Sequence, residues 1–113
     1  MIRTLTANEL PEDLIRAIGR QVAKDIASSN FELDELDRVE TELDYNTKDG
    51  RHFDYEVTTD FCLRQEDGTF WTPSYGYFSE LDYSGIITEC DTDTGEPIAE
   101  MEFNKASLKL NIV

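Results

Sequence analysis

The segment Arg51–Arg64 alternates between apolar and polar side chains almost without interruption, and this pattern constrains the fold more than any other feature. The odd-numbered positions hold Phe53, Tyr55, Val57, Thr59, Phe61 and Leu63. The even-numbered positions between them hold Asp54, Glu56, Thr58 and Asp60. Because successive side chains of a strand point to opposite faces, the alternation predicts a β-strand with one buried and one solvated face. The solvated face is anionic.

A helix is predicted upstream of this strand, from about residue 8 to residue 28. Apolar residues recur there every four positions, and two more widen the stripe: Leu10, Leu14, Ile18, Val22 and Ile26, with Ile15 and Ala23. Asn8 is expected to cap the helix, and Pro11 is compatible with its first turn, which donates no intrahelical hydrogen bonds. Gly19 is expected to mark a close approach of the helix to the sheet. Residues 1–6 fit either a short strand or a frayed end.

A hairpin turn is predicted at Thr47–Arg51, with Gly50 in the left-handed conformation of a three-residue loop. This loop places Tyr45 opposite Phe53 and keeps apolar side chains on one face. A two-residue loop would place Tyr45 opposite Asp54 and mix the two faces. The hydrophobic pattern therefore favours the three-residue loop.

A second three-residue loop is predicted at Gln65–Thr69, and it sets Leu63 opposite Trp71 and Val57 opposite Tyr77. The strand that follows is expected to run to about residue 91, with breaks near Pro73 and around residues 79–82. A third turn at residues 93–95 returns the chain through a last strand over residues 98–103. A bulge or turn is expected at residues 104–107.

One helix followed by a strand meander predicts an α+β fold. We expect a single domain over residues 1–113, with the helix at about 8–28 and a four- to five-stranded antiparallel sheet at about 37–113. The helix is predicted to lie across the apolar face of the sheet. The element order resembles cystatin-like folds, in which a helix lies on a curved sheet. That resemblance concerns shape alone and implies no function.

The charge balance restricts the classes of partner. The chain has 25 acidic and 10 basic residues, for a formal net charge of −15. This charge disfavours direct binding to nucleic acid or to anionic lipid, because both are polyanions. It favours basic protein surfaces, cations, or simple solubility. The two cysteines, Cys62 and Cys90, are too few for a disulfide framework and are predicted to be free thiols.

The chain has no signal-peptide pattern at its start and no apolar run of the ~20 residues that a membrane helix requires. A cytoplasmic location is therefore the expectation, with removal of a signal peptide from the sequence as the alternative. No cofactor motif, Walker pattern or Cys/His metal cluster is found, and no cofactor or metal is predicted. His52, the only histidine, is expected to be a solvated surface residue rather than a general base.

The predicted first hairpin brings acidic side chains together on its outer surface. Asp44 lies opposite Asp54 and Glu42 opposite Glu56, and the predicted partner-binding residues are Glu40, Glu42, Asp44, Asp54, Glu56 and Asp60. Rows of carboxylates about 6.6 Å apart along each strand loosely resemble a nucleic-acid backbone. Such a surface predicts a nucleic-acid mimic that occupies a basic groove of a protein. The alternatives are an ordinary solvated face and a site for divalent cations.

An aromatic run supports a second class of function. The alternation assigns Trp71, Tyr75 and Tyr77 to the core face, and with Phe103 they are predicted to line a small-ligand pocket between helix and sheet. Core packing of these rings is the simpler interpretation. The sequence as a whole favours a non-enzymatic interaction protein that binds a basic protein partner, and the alternative is a small-ligand-binding α+β domain. No acid–base pair supports an enzyme.

Overall fold

The computed structural model describes residues 2–66 and 75–112 of the chain. Its elements, in chain order, are β1 (Arg3–Thr4), a short 3-10 helix (Ala7–Glu9), α1 (Glu12–Ser28), β2 (Leu36–Asn46), β3 (His52–Glu66), β4 (Tyr75–Cys90) and β5 (Pro97–Asn104). One helix on a five-stranded sheet is an α+β arrangement, so the predicted fold class is confirmed.

The sheet has the strand order β1-β5-β4-β3-β2, and β2 to β5 form the predicted antiparallel meander. The prediction of a purely antiparallel sheet is wrong, because β1 pairs in parallel with β5 through Arg3 and Ala99. The start of the chain is therefore a short strand rather than a frayed end. Two residues are too few for β1 to show an alternating pattern in the sequence. Its pairing also depends on a segment more than 90 positions away.

The first hairpin has the predicted register. Tyr45 pairs with Phe53, and the loop closes through a hydrogen bond from the Thr47 amide to the Arg51 carbonyl at 2.8 Å. Gly50 has a φ of 86°, the left-handed conformation that the three-residue loop requires. Alternation of apolar residues on both strands fixes this register, because a slip by one position would expose them.

The predicted register of the second hairpin is wrong. Val57 pairs with Gly85 rather than with Tyr77, and the pairing of β3 with β4 ends at Glu66 and Tyr75. Leu63 pairs with Phe78 rather than with Trp71, which lies outside the described residues with the rest of 67–74.

A β-bulge at Ser79 changes which side chains of β4 face the core. Cys62 pairs with Glu80 and Leu63 with Phe78, so Ser79 is the extra residue. The bulge lies in the region where the sequence predicted a bend. Beyond it the alternation is reversed, and Phe78 packs on the core while Tyr77 is exposed.

The helix α1 begins at Glu12, four residues later than predicted. Pro11 is its N-cap residue in place of Asn8, and Leu10 before it is extended, with a ψ of 131°. A residue that precedes proline is driven out of the helical region by the proline ring, which separates α1 from the 3-10 helix. The apolar stripe of the helix is buried as predicted, at Leu14, Ile18, Val22 and Ile26.

Asp13 links the start of α1 to the first hairpin through hydrogen bonds. Its carboxylate accepts hydrogen bonds from the Lys48 amide at 2.9 Å and from the Tyr45 hydroxyl at 3.3 Å. These bonds favour the ionised form, and the Lys48 amide contributes most to lowering the pKa of Asp13. The helix is thereby aligned with β2 and β3.

The C-terminal segment packs beside α1 on the inner face of the sheet. After β5 a turn at residues 104–107 leads into an extended stretch that buries Leu108, Leu110 and Ile112 without joining the sheet. The predicted sheet over residues 37–113 therefore ends at Asn104 among the described residues. A Cβ on Gly19 would lie 2.6 Å from the Asn111 carbonyl oxygen, so Gly19 permits close approach of this segment rather than of the sheet.

The molecule is elongated, with extents of 58 × 24 × 24 Å. A helix of 17 residues is about 25 Å long, so α1 covers less than half of that length. Both α1 and the C-terminal segment lie on the inner face, where the odd-numbered side chains of β3 and β5 are buried.

Candidate functional site

The outer face of the sheet carries acidic side chains on four adjacent strands. The register aligns the even-numbered residues of β2, β3, β4 and β5 on this face. We define the acidic face by its ten carboxylates: Glu40, Glu42, Asp44, Asp54, Glu56, Asp60, Glu80, Asp82, Glu100 and Glu102. All six residues predicted from the sequence as partner-binding belong to it.

The four acids on β4 and β5 were missed by the sequence analysis. The sequence shows that these acids occupy even-numbered positions of their strands. It does not show that they lie beside the first hairpin, because that depends on the register of β3 with β4. The two aspartates Asp60 and Asp82 pair directly across that register, and Glu100 and Glu102 follow one strand further on.

Like charges oppose one another on this face. Glu42 pairs with Glu56, and Asp44 pairs with Asp54. Directly opposed side chains have Cβ atoms about 4.5–5.5 Å apart, and like charges in such pairs are destabilising. The arrangement is therefore one that stability alone does not favour.

Few positive groups balance these acids. Arg38 binds Asp60 through two hydrogen bonds, at 2.7 and 3.3 Å, and the guanidinium lowers the pKa of the Asp60 carboxyl. His52 lies between Asp44 and Asp54. Among the described residues, the other seven acids of the face form no ion pair.

Two shallow grooves border Ile86 near the centre of the acidic face. One has a volume of about 390 Å³ and is lined by Asp54, Glu56 and Glu100 together with Pro97. The other, of about 620 Å³, includes Glu102 and also borders Ile86. Ile86 is 38% exposed. Each groove thus combines an apolar wall with carboxylates.

His52 is not the isolated solvated residue that the sequence suggested. Its Nε2 atom lies 3.5 Å from a carboxylate oxygen of Asp44 and 3.3 Å from one of Asp54. Its Nδ1 atom lies 2.6 Å from the side-chain oxygen of Asn46. The predicted register already set Asn46 opposite His52 and Asp44 opposite Asp54, so this cluster was available to sequence reasoning.

Both cysteines are free, as predicted, and both are buried. The thiol of Cys90 lies 3.5 Å from the second carboxylate oxygen of Asp54 and donates to it. Burial, and after it this carboxylate, raises the pKa of Cys90, so the thiol stays protonated. The arrangement gives no activated nucleophile.

The structure does not bring the predicted aromatic pocket together. Trp71 lies outside the described residues, as does the side chain of Tyr75. Tyr77 is exposed, whereas Phe103 is buried beside Gly85. Eight strand residues separate Tyr77 from Gly85, which corresponds to about 26 Å. Tyr77 and Phe103 therefore cannot line one small pocket. The bulge at Ser79 reverses the alternation of β4, so the odd-numbered Tyr77 faces outward instead of toward the core as predicted.

In the described part of the chain, no helix combines the length and hydropathy that crossing a bilayer requires. No protein-family model, curated protein or solved structure matches the chain. The function is therefore inferred from the geometry and charge of the acidic face.

Proposed function

We propose that this protein is a non-enzymatic interaction protein that uses its acidic face to bind a basic surface on a protein partner. The observation that carries the proposal is the set of ten carboxylates on four adjacent strands, of which, among the residues that the structure describes, only Asp60 is paired with an arginine. A basic groove that ordinarily holds nucleic acid is the kind of partner surface that such a face fits.

The segregation of charge supports this proposal over simple solubility. Exposed positions of α1 carry the bases Arg16, Arg20 and Lys24, whereas in the described strands the outer face carries two arginines, Arg38 beside Asp60 and Arg64 near the end of β3. A surface that served only solubility would be expected to intersperse both signs. One side of the molecule instead presents an extended negative potential.

The charge density of the face approaches that of a nucleic acid. From Asp54 to the level of Glu80 the face spans eight residues of β3, or about 26 Å. Ten carboxylates and Arg38 give nine net charges, about one per 3 Å, compared with one per 1.7 Å along duplex DNA. The face therefore has roughly half of the linear charge density of DNA, enough to compete for a lysine- and arginine-rich groove.

The grooves beside Ile86 suit the side chains that such a partner would carry. Lysine and arginine lay their aliphatic stems on apolar surface while the charged head stays in a polar environment. A stem packed on Ile86 would bring its head to Glu56, Glu100 or Glu102, which line the same grooves. We therefore expect cationic side chains of the partner to lie on either side of Ile86.

The proposal is tested by affinity capture from the native host at low and at physiological salt, followed by direct titration of each captured protein. The variant Glu42→Lys with Glu56→Lys should weaken binding by at least tenfold, because it reverses two opposed charges at the centre of the face. The matched control Glu12→Lys with Glu32→Lys changes the net charge equally, at exposed sites on α1 and in the loop after it.

Binding should also weaken steeply with salt, because the Debye length falls from about 30 Å at 0.01 M to about 8 Å at 0.15 M. The proposal would be overturned by a partner that binds both variants with the affinity of the native protein. It would also be overturned if the control variant lost binding as strongly as the variant of the acidic face.

A further inference from the structure

The end of the first hairpin brings three metal-ligating side chains to one point of the outer face. Asp44 and Asp54 pair across β2 and β3, and His52 lies two residues before Asp54 on the same face of β3. One ligating atom from each of the three lies within 4.8 Å of the others. The cluster joins an imidazole to two carboxylates and is thus chemically distinct from the rest of the acidic face.

The distances match a tetrahedral metal centre. Zinc binds histidine nitrogen and carboxylate oxygen at about 2.0–2.2 Å, which separates neighbouring ligand atoms by about 3.3–3.6 Å in a tetrahedron. The observed distances from His52 Nε2 to the oxygens of Asp44 and Asp54 are 3.5 and 3.3 Å. These two separations fit two edges of such a tetrahedron, and the oxygens of Asp44 and Asp54 lie within 4.8 Å of each other.

The imidazole is oriented so that its Nε2 atom faces both carboxylates. The Asn46 atom at 2.6 Å from His52 Nδ1 is the amide oxygen, which only accepts, so Nδ1 carries the hydrogen. In the neutral ring, Nε2 then directs its lone pair at two carboxylates. That arrangement is repulsive unless a positive particle, either a proton or a metal ion, lies between them.

The neighbours of the ligands resemble the outer contacts of a built metal site. Metal-binding histidines usually donate their other ring nitrogen to an oxygen acceptor, as His52 does to Asn46. Ligating carboxylates are also usually hydrogen-bonded, and the Asp54 oxygen that faces away from His52 accepts from the Cys90 thiol. Two of the three ligands are therefore oriented by a second residue.

We propose that Asp44, His52 and Asp54 bind a first-row divalent transition-metal ion of the Zn²⁺ class. The imidazole ligand favours such an ion over Ca²⁺ or Mg²⁺, which prefer oxygen ligands alone. Two carboxylates neutralise the charge of the ion, and three protein ligands leave a fourth position for water or for an incoming group. The sequence analysis predicted no metal site, and this inference does not depend on the proposed partner.

The test uses calorimetric titration of the chelator-treated protein with Zn²⁺ at neutral pH. We expect one saturable site, and His52→Gln should weaken binding at least tenfold. The control Glu40→Gln removes one acid of the same face but none of the ligands, and should leave affinity within twofold. Asn46→Ala should weaken binding about tenfold, because outer contacts typically contribute 10–100-fold to metal affinity.

NMR provides a readout that a purely structural role would not change. His52 is the only histidine, so its ring nitrogens can be assigned without ambiguity. Zn²⁺ should shift the Nε2 resonance while Nδ1 retains its hydrogen, and Asn46→Ala should allow the hydrogen to move between the nitrogens.

Three results would overturn the proposal: no saturable site, equal Zn²⁺ affinity of the native protein and His52→Gln, or ring resonances that Zn²⁺ does not change. Equal Zn²⁺ affinity of the native protein and His52→Gln would indicate that cations are attracted diffusely to the acidic face. His52 ring resonances that Zn²⁺ does not change would indicate that a proton occupies the position assigned to the metal. Each of these results would leave the binding of a basic partner unaffected.

Discussion

Neutralising the opposed pair Glu42 and Glu56 should stabilise the protein, because their repulsion opposes folding. The two residues pair directly across β2 and β3, and both are exposed. For carboxylates about 6 Å apart in a dielectric near that of water, the repulsion is about 0.7 kcal/mol. Screening at physiological salt, with a Debye length of about 8 Å, should reduce it to roughly 0.3 kcal/mol.

A double-mutant cycle isolates this energy from the other charges of the face. Glu42→Gln and Glu56→Gln should each raise the free energy of unfolding, since each removes the shared repulsion. The double variant should then gain less than the sum of the single variants, by about 0.7 kcal/mol at low salt. For a domain of this size 1 kcal/mol corresponds to about 4 °C in the thermal midpoint, so the cycle requires urea titration as well as thermal unfolding.

The salt series and a distant pair provide the controls. Glu12 lies at the start of α1 and Glu32 in the loop after it, so Glu12→Gln and Glu32→Gln should show no coupling. A coupling energy near zero at low salt, or one that does not fall as salt rises, would show that the two carboxylates do not repel one another. The inference that the acidic face carries an energetic cost would then be withdrawn.

Two further predictions concern the core that supports the face. The Tyr83 hydroxyl donates to the Leu108 carbonyl at 2.6 Å and accepts from the Leu110 amide at 2.8 Å. Tyr83→Phe should therefore lower the free energy of unfolding by about 2–4 kcal/mol, because it leaves two buried backbone groups without partners. An unchanged urea midpoint would show that Tyr83 does not hold the C-terminal segment. Thr59→Val should stabilise by about 1 kcal/mol, since the buried Thr59 hydroxyl has no hydrogen-bond partner in the described part of the chain; a lower midpoint in calorimetry would contradict this.

The sequence predicted those features that depend on local patterns. Alternation on both strands, together with the glycine at position 50, was sufficient to set Tyr45 opposite Phe53. The apolar stripe of α1 was also sufficient to identify its buried side. These signals lie within a dozen residues of one another, so no knowledge of the rest of the chain was needed.

The features that failed depend on contacts that local patterns do not encode. The bulge at Ser79 reverses the parity of Tyr77 and Phe78, and nothing in their own alternation reveals an extra residue. The parallel pairing of β1 joins Arg3 to Ala99. The juxtaposition of Asp44, His52 and Asp54 was missed for a different reason: the predicted register brings the three residues together, but His52 was considered alone rather than with its cross-strand neighbours.

The two faces of the sheet contribute unequally to stability. The inner face buries the apolar residues of β3 against α1 and the C-terminal segment, whereas the outer acids contact mainly solvent. Outer positions therefore tolerate polar substitutions with little effect on the core, and nothing in the fold requires that they all be acidic. Like charges in direct opposition at Glu42 and Glu56 and again at Asp44 and Asp54 work against folding. An arrangement that the fold does not require and that lowers its stability supports the proposal that the outer face binds a partner.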